Sequence, residues 1–198
     1  MNNRKVYISG EIVPEVDAKI SIFDSAVLLG DTVTESTRTF NFKPFKLDEH
    51  LERLYKSFKL TRIDPQMTIE EMKKVSLELL EINKDNYTAN EDCWLVHNIS
   101  RGHSITGGNP ALQVSKPTVM IYTQPMNLVL WAPFYTKGCH AVTPPTRMVP
   151  SQSLDARIKN RSRLFYTLAE IESKLVDPDA QSVILDIHGN VAENKGGN

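Results

Sequence analysis

The most informative segment of the sequence is Ser153-Leu-Asp-Ala-Arg-Ile-Lys159-Asn-Arg-Ser-Arg163, together with the apolar pattern that follows it. From Leu164 onward, apolar residues recur at close to the 3.6-residue period of a helix, which predicts a helix. They are Leu164, Phe165, Leu168, Ile171, Leu175 and Val176. The polar stretch before them follows prolines at positions 144, 145 and 150, so we expect a loop that leads into this helix.

Lys159 is the candidate functional residue of this loop. It lies just ahead of the predicted helix N-terminus, where backbone N–H groups favour anions, and arginines occupy positions 157, 161 and 163. Neighbouring cations and partial burial both disfavour a charged ammonium, so we expect a lowered pKa for Lys159 and a nucleophilic amine. A solvated basic surface or an anion-binding patch explains the same composition, and the residues alone leave that choice open.

A second informative block runs from Phe23 to Ser57. Within it, the Thr- and Val-rich stretch Thr32–Phe40 predicts a strand that carries polar residues on one face. The apolar pattern after it predicts a helix with Asp48 as its N-cap. Arg53 lies beside the apolar face of that helix, where an arginine either extends to solvent or binds a planar anion.

Three separated motifs resemble those of the class IV aminotransferases, the fold type IV enzymes that use pyridoxal phosphate (PLP). This family includes branched-chain, D-amino-acid and (R)-amine transaminases. The segment RIKNRSRLFYTLAEIE is similar to the family's lysine motif, with Lys159 at the position of the Schiff-base lysine. His50-Leu-Glu-Arg53-Leu54 resembles H-x-x-R-L, whose arginine reaches the PLP phosphate. Gly189-Asn-Val-Ala-Glu193 resembles G-x-V-x-E, whose glutamate pairs with the pyridine nitrogen.

The resemblance covers nearly the whole chain and implies a set of site residues. Lys159 is implied as the catalytic residue that forms the Schiff base and moves the proton. The implied cofactor-binding residues are Lys159, Arg53, Glu193 and Arg163. The candidates for the substrate pocket are Thr34, Ser36, Arg38 and Met126.

The substrate stays open at the level of sequence. The branched-chain enzymes usually carry an aromatic residue at the position of Trp94 and an arginine at the position of Val96. The groups that bind the substrate carboxylate in the branched-chain and D-amino-acid enzymes are not present as such in this chain. We expect an aminotransferase that moves an amino group from an amino acid or amine to a 2-oxo acid. Two alternatives remain. One is a PLP-dependent aminodeoxychorismate lyase, whose lysine is also followed four residues later by an Arg-Leu pair, here Arg163-Leu164. The other is a non-catalytic anion-binding fragment.

The fold class expected from the resemblance is α/β (α+β) in two domains. We expect an N-terminal α/β domain at residues 1–123, a linker at 124–133, and the start of a C-terminal PLP-binding domain at 134–198. This second part is short for a sheet-based domain, so we expect it to be truncated, as in a fragment of a longer enzyme. Within the first domain, the sequence predicts a β-hairpin at Lys5–Val13 and a further extended piece at Asp17–Phe23.

The composition argues against several classes of function. The 198 residues are 40% hydrophobic and 24% charged with a net charge of −1, which gives no reason to expect nucleic acid or an anionic membrane as partner. No apolar run is long enough to span a bilayer. The two cysteines show no metal-ligand spacing. We therefore expect a cytoplasmic protein without a metal site, and the resemblance implies a homodimer or larger homo-oligomer.

Overall fold

The computed structural model describes residues 3–88, 91–103, 115–126, 128–194 and 196. The chain divides into two compact units. The first is Met1–Met126 with Ile158–Ser162, and the second is Asn127–Arg157 with Arg163–Asn198. The lysine-bearing segment Ile158–Ser162 therefore groups with the first unit, whereas the sequence placed all of 134–198 in the second domain.

The first unit contains a six-stranded sheet and three α-helices among the residues described. In chain order the elements are β1 (Lys5–Ile8), β2 (Glu11–Pro14), α1 (Ser25–Leu29), β3 (Thr32–Phe40), β4 (Lys43–Pro44), α2 (Leu47–Thr61), α3 (Ile69–Asn83), β5 (Cys93–Ser100) and β6 (Thr118–Pro125). Single 3₁₀ turns occupy Glu15–Asp17 and Lys84–Asn86. The strand order is β2-β1-β6-β5-β3-β4, with every neighbouring pair antiparallel.

The predicted hairpin near the N-terminus is confirmed. Ser9 and Gly10 both adopt positive φ, 47° and 110°, which is the backbone twist of a tight two-residue hairpin turn. The predicted extended piece Asp17–Phe23 is wrong, because this segment forms no strand. It runs as irregular backbone to Asp24, whose side chain caps α1 by accepting from the Ala26 N–H at 2.8 Å.

The sheet of the first unit has two distinct faces, because side chains alternate along each strand. One face packs its apolar residues against α2 and α3 in a single buried core. The core residues at its centre are Val33, Leu51, Leu54, Phe58, Met72, Leu79, Leu95, Ile99 and Ile121. We call the opposite side the second face. It carries Thr34, Ser36, Arg38, Trp94, Val96, Asn98, Met120, Tyr122 and Gln124.

The two long helices of the first unit begin differently. Thr68 caps α3, and its side chain and that of Glu71 form a reciprocal capping box. At α2 the predicted cap is wrong: the helix begins after Lys46, which adopts a left-handed conformation and gives no side-chain cap. Asp48 instead lies in the first turn of the helix and pairs with Lys73 at 2.7 Å.

The second unit contains a three-stranded sheet and three helices among its described residues. They are α4 (Leu128–Trp131), α5 (Phe134–Lys137), β7 (Ala141–Val142), α6 (Leu164–Val176), β8 (Gln181–Leu185) and β9 (Val191–Asn194). Strand β8 pairs in parallel with β7 and antiparallel with β9. The expected linker at 124–133 is not continuous loop, because Gln124 and Pro125 end β6 and α4 follows. No helix in the described ranges is both long and apolar enough to cross a bilayer.

The predicted helix after the lysine segment is confirmed, but it buries a different face from the one expected. Its buried residues are Tyr166, Ala169 and Ser173. Tyr166 and Ala169 pack with Ile184 of β8. Because two of these three side chains are small, the helix backbone can lie close to the sheet. Most of the predicted apolar stripe is exposed, including Leu164, Leu168, Ile171 and Leu175.

Candidate active site

The backbone of the lysine segment is held at the edge of β3. The N–H of Thr34 donates to the carbonyl of Lys159 at 2.8 Å, and the N–H of Arg161 donates to the carbonyl of Thr32 at 2.9 Å. The N–H of Lys159 lies 3.3 Å from the hydroxyl of Ser57, a fully buried residue of α2. The segment is irregular backbone, as the sequence predicted, and Lys159 within it is fixed between a strand and a helix.

A glycine allows this close docking. Gly30 ends α1 with φ 66°, a left-handed conformation that glycine adopts without strain. Its carbonyl accepts a hydrogen bond from the hydroxyl of Ser162 at 3.3 Å. A Cβ at position 30 would lie only 2.9 Å from the Ser162 oxygen, so the lysine segment and the end of α1 are packed closely.

Arg53 of α2 is held by a buried carboxylate. Its Nε and Nη2 donate to the two oxygens of Glu35 at 2.7 and 2.6 Å, in the bidentate geometry that arginine favours. Glu35 has no exposed surface, while half of the Arg53 side chain is exposed. His50 lies 3.1 Å from the same carboxylate, and the Ser36 N–H donates to it at 2.9 Å.

The Glu35 carboxyl is ionised across the physiological pH range. Its burial by itself raises the pKa, but hydrogen bonds from His50, Arg53 and the Ser36 backbone outweigh that effect. Together with the positive charge of Arg53, they lower the pKa of Glu35 to about 2. A permanent buried anion thus fixes the position of the guanidinium.

The arrangement of Arg53 fits a phosphate ligand. Glu35 occupies Nε and Nη2, and Nη1 donates no hydrogen bond to any residue in the described part of the chain. Ser57 lies one helical turn further along α2 and contacts the Lys159 backbone, so Arg53 and Lys159 belong to the same part of the first unit. A planar, pre-oriented guanidinium with a free edge is well suited to bind a phosphate.

In the second unit, Glu193 lies in a short chain of contacts. The hydroxyl of Tyr166 donates a hydrogen bond to its Oε2 atom. The guanidinium carbon of Arg163 lies 4.7 Å from the centre of the Tyr166 ring. No hydrogen bond from the described residues reaches the other carboxylate oxygen of Glu193. Glu193 is thus an oriented carboxylate with one oxygen available, as a partner for a protonated ring nitrogen requires.

The four predicted substrate residues all lie in the first unit. Thr34, Ser36 and Arg38 share the second face of the sheet. The Thr34 hydroxyl donates to the carbonyl of His97 at 2.9 Å, so it can only accept from a ligand. The guanidinium of Arg38 stacks on the ring of Phe40, 3.8 Å from its centre. Met126 follows β6 and is buried.

Two tyrosines at these sites were missed by the sequence analysis. Tyr166 occupies the buried phase of α6, three residues before Ala169 and seven before Ser173, a pattern that an apolar-residue search overlooks. Tyr122 accepts hydrogen bonds from Asn98 at 2.9 Å and from Arg161 at 3.3 Å. The polar residue Asn98 within the apolar pattern of β5 was the available signal.

The described residues contain no cluster suited to a metal ion.

With this geometry established, comparison with known proteins identifies the family. The sequence model of the amino-transferase class IV family matches residues 32–198, which include β3, α2, the lysine segment and β9. The chain belongs to the class IV aminotransferases. Members of this family use PLP, so the family resemblance seen in the sequence is confirmed.

Relatives with curated names agree with this membership. The chain is 34% identical over 194 residues to a protein of Methanocaldococcus jannaschii named "Putative branched-chain-amino-acid aminotransferase", covering 98% of this chain and 64% of that one. It is 32% identical over 120 residues to a D-alanine aminotransferase of Staphylococcus epidermidis, covering 61% of this chain and 41% of that one. The chain thus spans less than two thirds of either relative.

Solved structures show the fold. A branched-chain aminotransferase of the archaeon Thermoproteus uzoniensis with norvaline aligns with a TM-score of 0.79 at 24% identity, covering 98% of this chain and 64% of that one. The branched-chain enzyme of Escherichia coli aligns with a TM-score of 0.78 at 24% identity, covering 99% and 62%. The predicted mixed α/β architecture of fold type IV is confirmed. The comparisons give no support to the lyase or to the non-catalytic fragment.

Proposed function

We propose that this protein is a PLP-dependent aminotransferase that moves an amino group from an amino acid or amine to a 2-oxo acid. The observation that carries the proposal is the docking of the motif lysine. Lys159 is hydrogen-bonded at its backbone to β3 and α2, and α2 also presents the carboxylate-held Arg53. The available carboxylate oxygen of Glu193 supports the same cofactor.

Four polar residues of the chain have definite roles in this reaction. When bound, PLP supplies an aldehyde that bonds to an amine and a ring that takes up electron density. The uncharged amine of Lys159 acts first as the nucleophile and then as the base that moves a proton from the substrate's α-carbon. Arg53 binds the phosphate group. Glu193 holds the proton on the ring nitrogen, and Tyr166 keeps the Glu193 carboxylate in place.

Two further assignments belong to the proposal. Arg163 contacts the cofactor from its position over the Tyr166 ring. Thr34, Ser36, Arg38 and Met126 contact the substrate. Support for the first three comes from their shared position on the second face, alongside the strand edge that holds Lys159.

The test is the visible absorption of the purified protein mixed with PLP. We expect an absorption band that an amino donor removes and a 2-oxo acid restores, since transamination proceeds in two half-reactions. Lys159→Ala abolishes the band and the turnover, whereas Lys56→Ala, a change at an exposed lysine of α2, alters neither. Retention of the band in Lys159→Ala contradicts the proposal. Turnover that needs no amino acceptor favours the lyase.

We further propose that the enzyme acts as a homodimer or larger homo-oligomer. Support comes from a run of exposed apolar side chains around α1, which is unusual for a surface that remains in water. The run comprises Ile22, Phe23, Val27, Leu28 and Leu29. Sedimentation equilibrium tests this point, with Leu28→Glu and Leu29→Glu expected to shift the protein toward monomer.

A further inference from the structure

We propose that Arg161 and Tyr122 form a carboxylate-binding subsite on the second face of the sheet. The subsite favours substrates that carry a free carboxylate over simple amines, which react without its help. This inference rests on the proposed aminotransferase function, because it concerns substrate choice in the same reaction.

The hydroxyl of Tyr122 takes part in two hydrogen bonds on the second face. Its hydroxyl oxygen accepts from the side-chain amide of Asn98 at 2.9 Å and from Nη2 of Arg161 at 3.3 Å. A phenol has one proton to donate. In this arrangement the Tyr122 proton is left for a ligand oxygen. Oδ1 of the same Asn98 amide is buried without a hydrogen-bond partner among the described residues, and a flipped amide would accept that proton instead, so the subsite depends chiefly on Arg161.

The positive charge of Arg161 also favours a bound anion. In the described part of the chain, no carboxylate lies within ion-pair distance of Arg161, and its guanidinium rests against a neutral phenol. The other arginines of this loop have different surroundings. Arg157 pairs with Asp155 at 2.6 Å, and Arg163 lies over the ring of Tyr166. Arg161 thus supplies an uncompensated positive charge on the second face of the sheet.

A guanidinium edge beside a phenolic O–H matches the chemistry of a carboxylate. Each of the two carboxylate oxygens accepts strong hydrogen bonds, and charge-assisted bonds from arginine are among the strongest that proteins make. Arg161 is exposed, so a ligand can reach its remaining donors. A simple amine has no group that these donors can bind.

The positions of Tyr122 and Arg161 also favour a substrate-binding role. Strand register places Tyr122 opposite Val96, which in turn lies opposite Ser36, so Tyr122 is two strands away from a candidate substrate residue, about 10 Å at ordinary strand spacing. Arg161 follows Lys159 by two residues in the same docked segment. The subsite therefore lies on the same face as Ser36 and takes Arg161 from the lysine segment.

The kinetic test compares acids with an amine that has no carboxylate. For Arg161→Gln we expect the KM for 2-oxoglutarate and for a donor amino acid to rise at least tenfold. The KM for 1-phenylethylamine as donor stays within twofold of wild type. The matched control is Arg157→Gln, which removes the same charge from the same loop and leaves every KM unchanged. Equal effects of Arg161→Gln on acid and amine donors, or no effect on either, overturn the subsite.

A binding measurement separates failure of the subsite from failure of the proposed function. Glutarate cannot be transaminated, so its binding to the PLP-treated protein by calorimetry requires no turnover. We expect Arg161→Gln and Tyr122→Phe each to weaken glutarate binding, and glutaramide to bind to neither wild type nor variant. Glutarate binding that survives Arg161→Gln overturns the subsite. Absence of the PLP absorption band in wild type instead contradicts the proposed function.

Discussion

Tyr166 donates a hydrogen bond from its hydroxyl to the carboxylate of Glu193 and so joins α6 to β9 within the second unit. Burial raises the pKa of Tyr166 above its usual value, and the hydrogen bond and negative charge of Glu193 raise it further. The phenol is therefore protonated, and able to donate, throughout the pH range in which the enzyme would work. The carboxylate proposed to face the cofactor ring is oriented by Tyr166, which lies seven residues after Lys159 in the lysine motif and has no role assigned to it from the sequence.

Removing this hydroxyl tests whether Tyr166 orients Glu193. We expect Tyr166→Phe to lower the free energy of unfolding by about 1 kcal/mol, the usual net value of one hydrogen bond, and to weaken PLP binding severalfold. In a Glu193→Gln background the same change should have a smaller effect, because the charged acceptor is already gone. Tyr135→Phe, at a residue that is 86% exposed in the same unit, is the control. Additive effects in the double variant contradict the coupling.

Glu35 should matter for both stability and cofactor binding. Glu35→Gln removes the buried anion that holds Arg53 and His50. Breaking a fully buried ion pair costs about 3–5 kcal/mol. Since half of Arg53 is exposed, we expect a smaller loss, about 2 kcal/mol in urea denaturation.

The same variant should bind inorganic phosphate and PLP at least tenfold more weakly, because Arg53 loses its fixed orientation. Glu49→Gln is the matched control, since Glu49 is exposed and its ion pair in the described part of the chain is with exposed Lys46. Unchanged phosphate affinity in a folded Glu35→Gln protein would show that Arg53 is not oriented by Glu35.

Acid should destabilise the first unit in two overlapping steps. Burial lowers the pKa of His97 from 6.5 to about 4, against the opposing effect of the Glu35 charge. The unfolded chain therefore takes up a proton that the folded protein does not, and stability falls as pH drops from about 6.5 to about 4. Glu35 has the other depressed pKa, about 2 against 4.5, so its contribution is lost as pH falls from 4.5 toward 2.

Urea denaturation at a series of pH values measures these steps. We expect the unfolding free energy to decrease by on the order of 3 kcal/mol across the His97 window. His97→Gln should flatten the curve between pH 6.5 and 4, whereas His188→Gln, at an exposed turn residue, should not. A wild-type curve that is flat over this interval contradicts a neutral, buried His97.

The sequence was sufficient for most of the fold because its signals are local. Strand β3 follows from its β-branched residues, and α6 follows from the helical period of the apolar residues after Leu164. The failures involve interactions between distant residues. Local pattern does not reveal that the carbonyl of Lys159 accepts from the Thr34 N–H, nor that Ile158–Ser162 groups with the first unit. The left-handed Lys46 likewise displaced the cap predicted at Asp48.

The candidate site was predictable to a similar extent. Motif resemblance points to Arg53, Lys159 and Glu193, because such motifs occupy short stretches of sequence. The residues that support them are Glu35 of β3, Ser57 one turn beyond Arg53 in α2, and Tyr166 of α6. Each reaches its partner only in the folded chain, so spacing along the sequence does not reveal these contacts.

Chemical trapping shows directly which lysine bonds to the cofactor. The purified protein is mixed with PLP, reduced with borohydride, digested and analysed by mass spectrometry. We predict a single phosphopyridoxyl-modified peptide in which the modified residue is Lys159. Modification of other lysines with Lys159 left unmodified, or no modification of any lysine, would contradict the account.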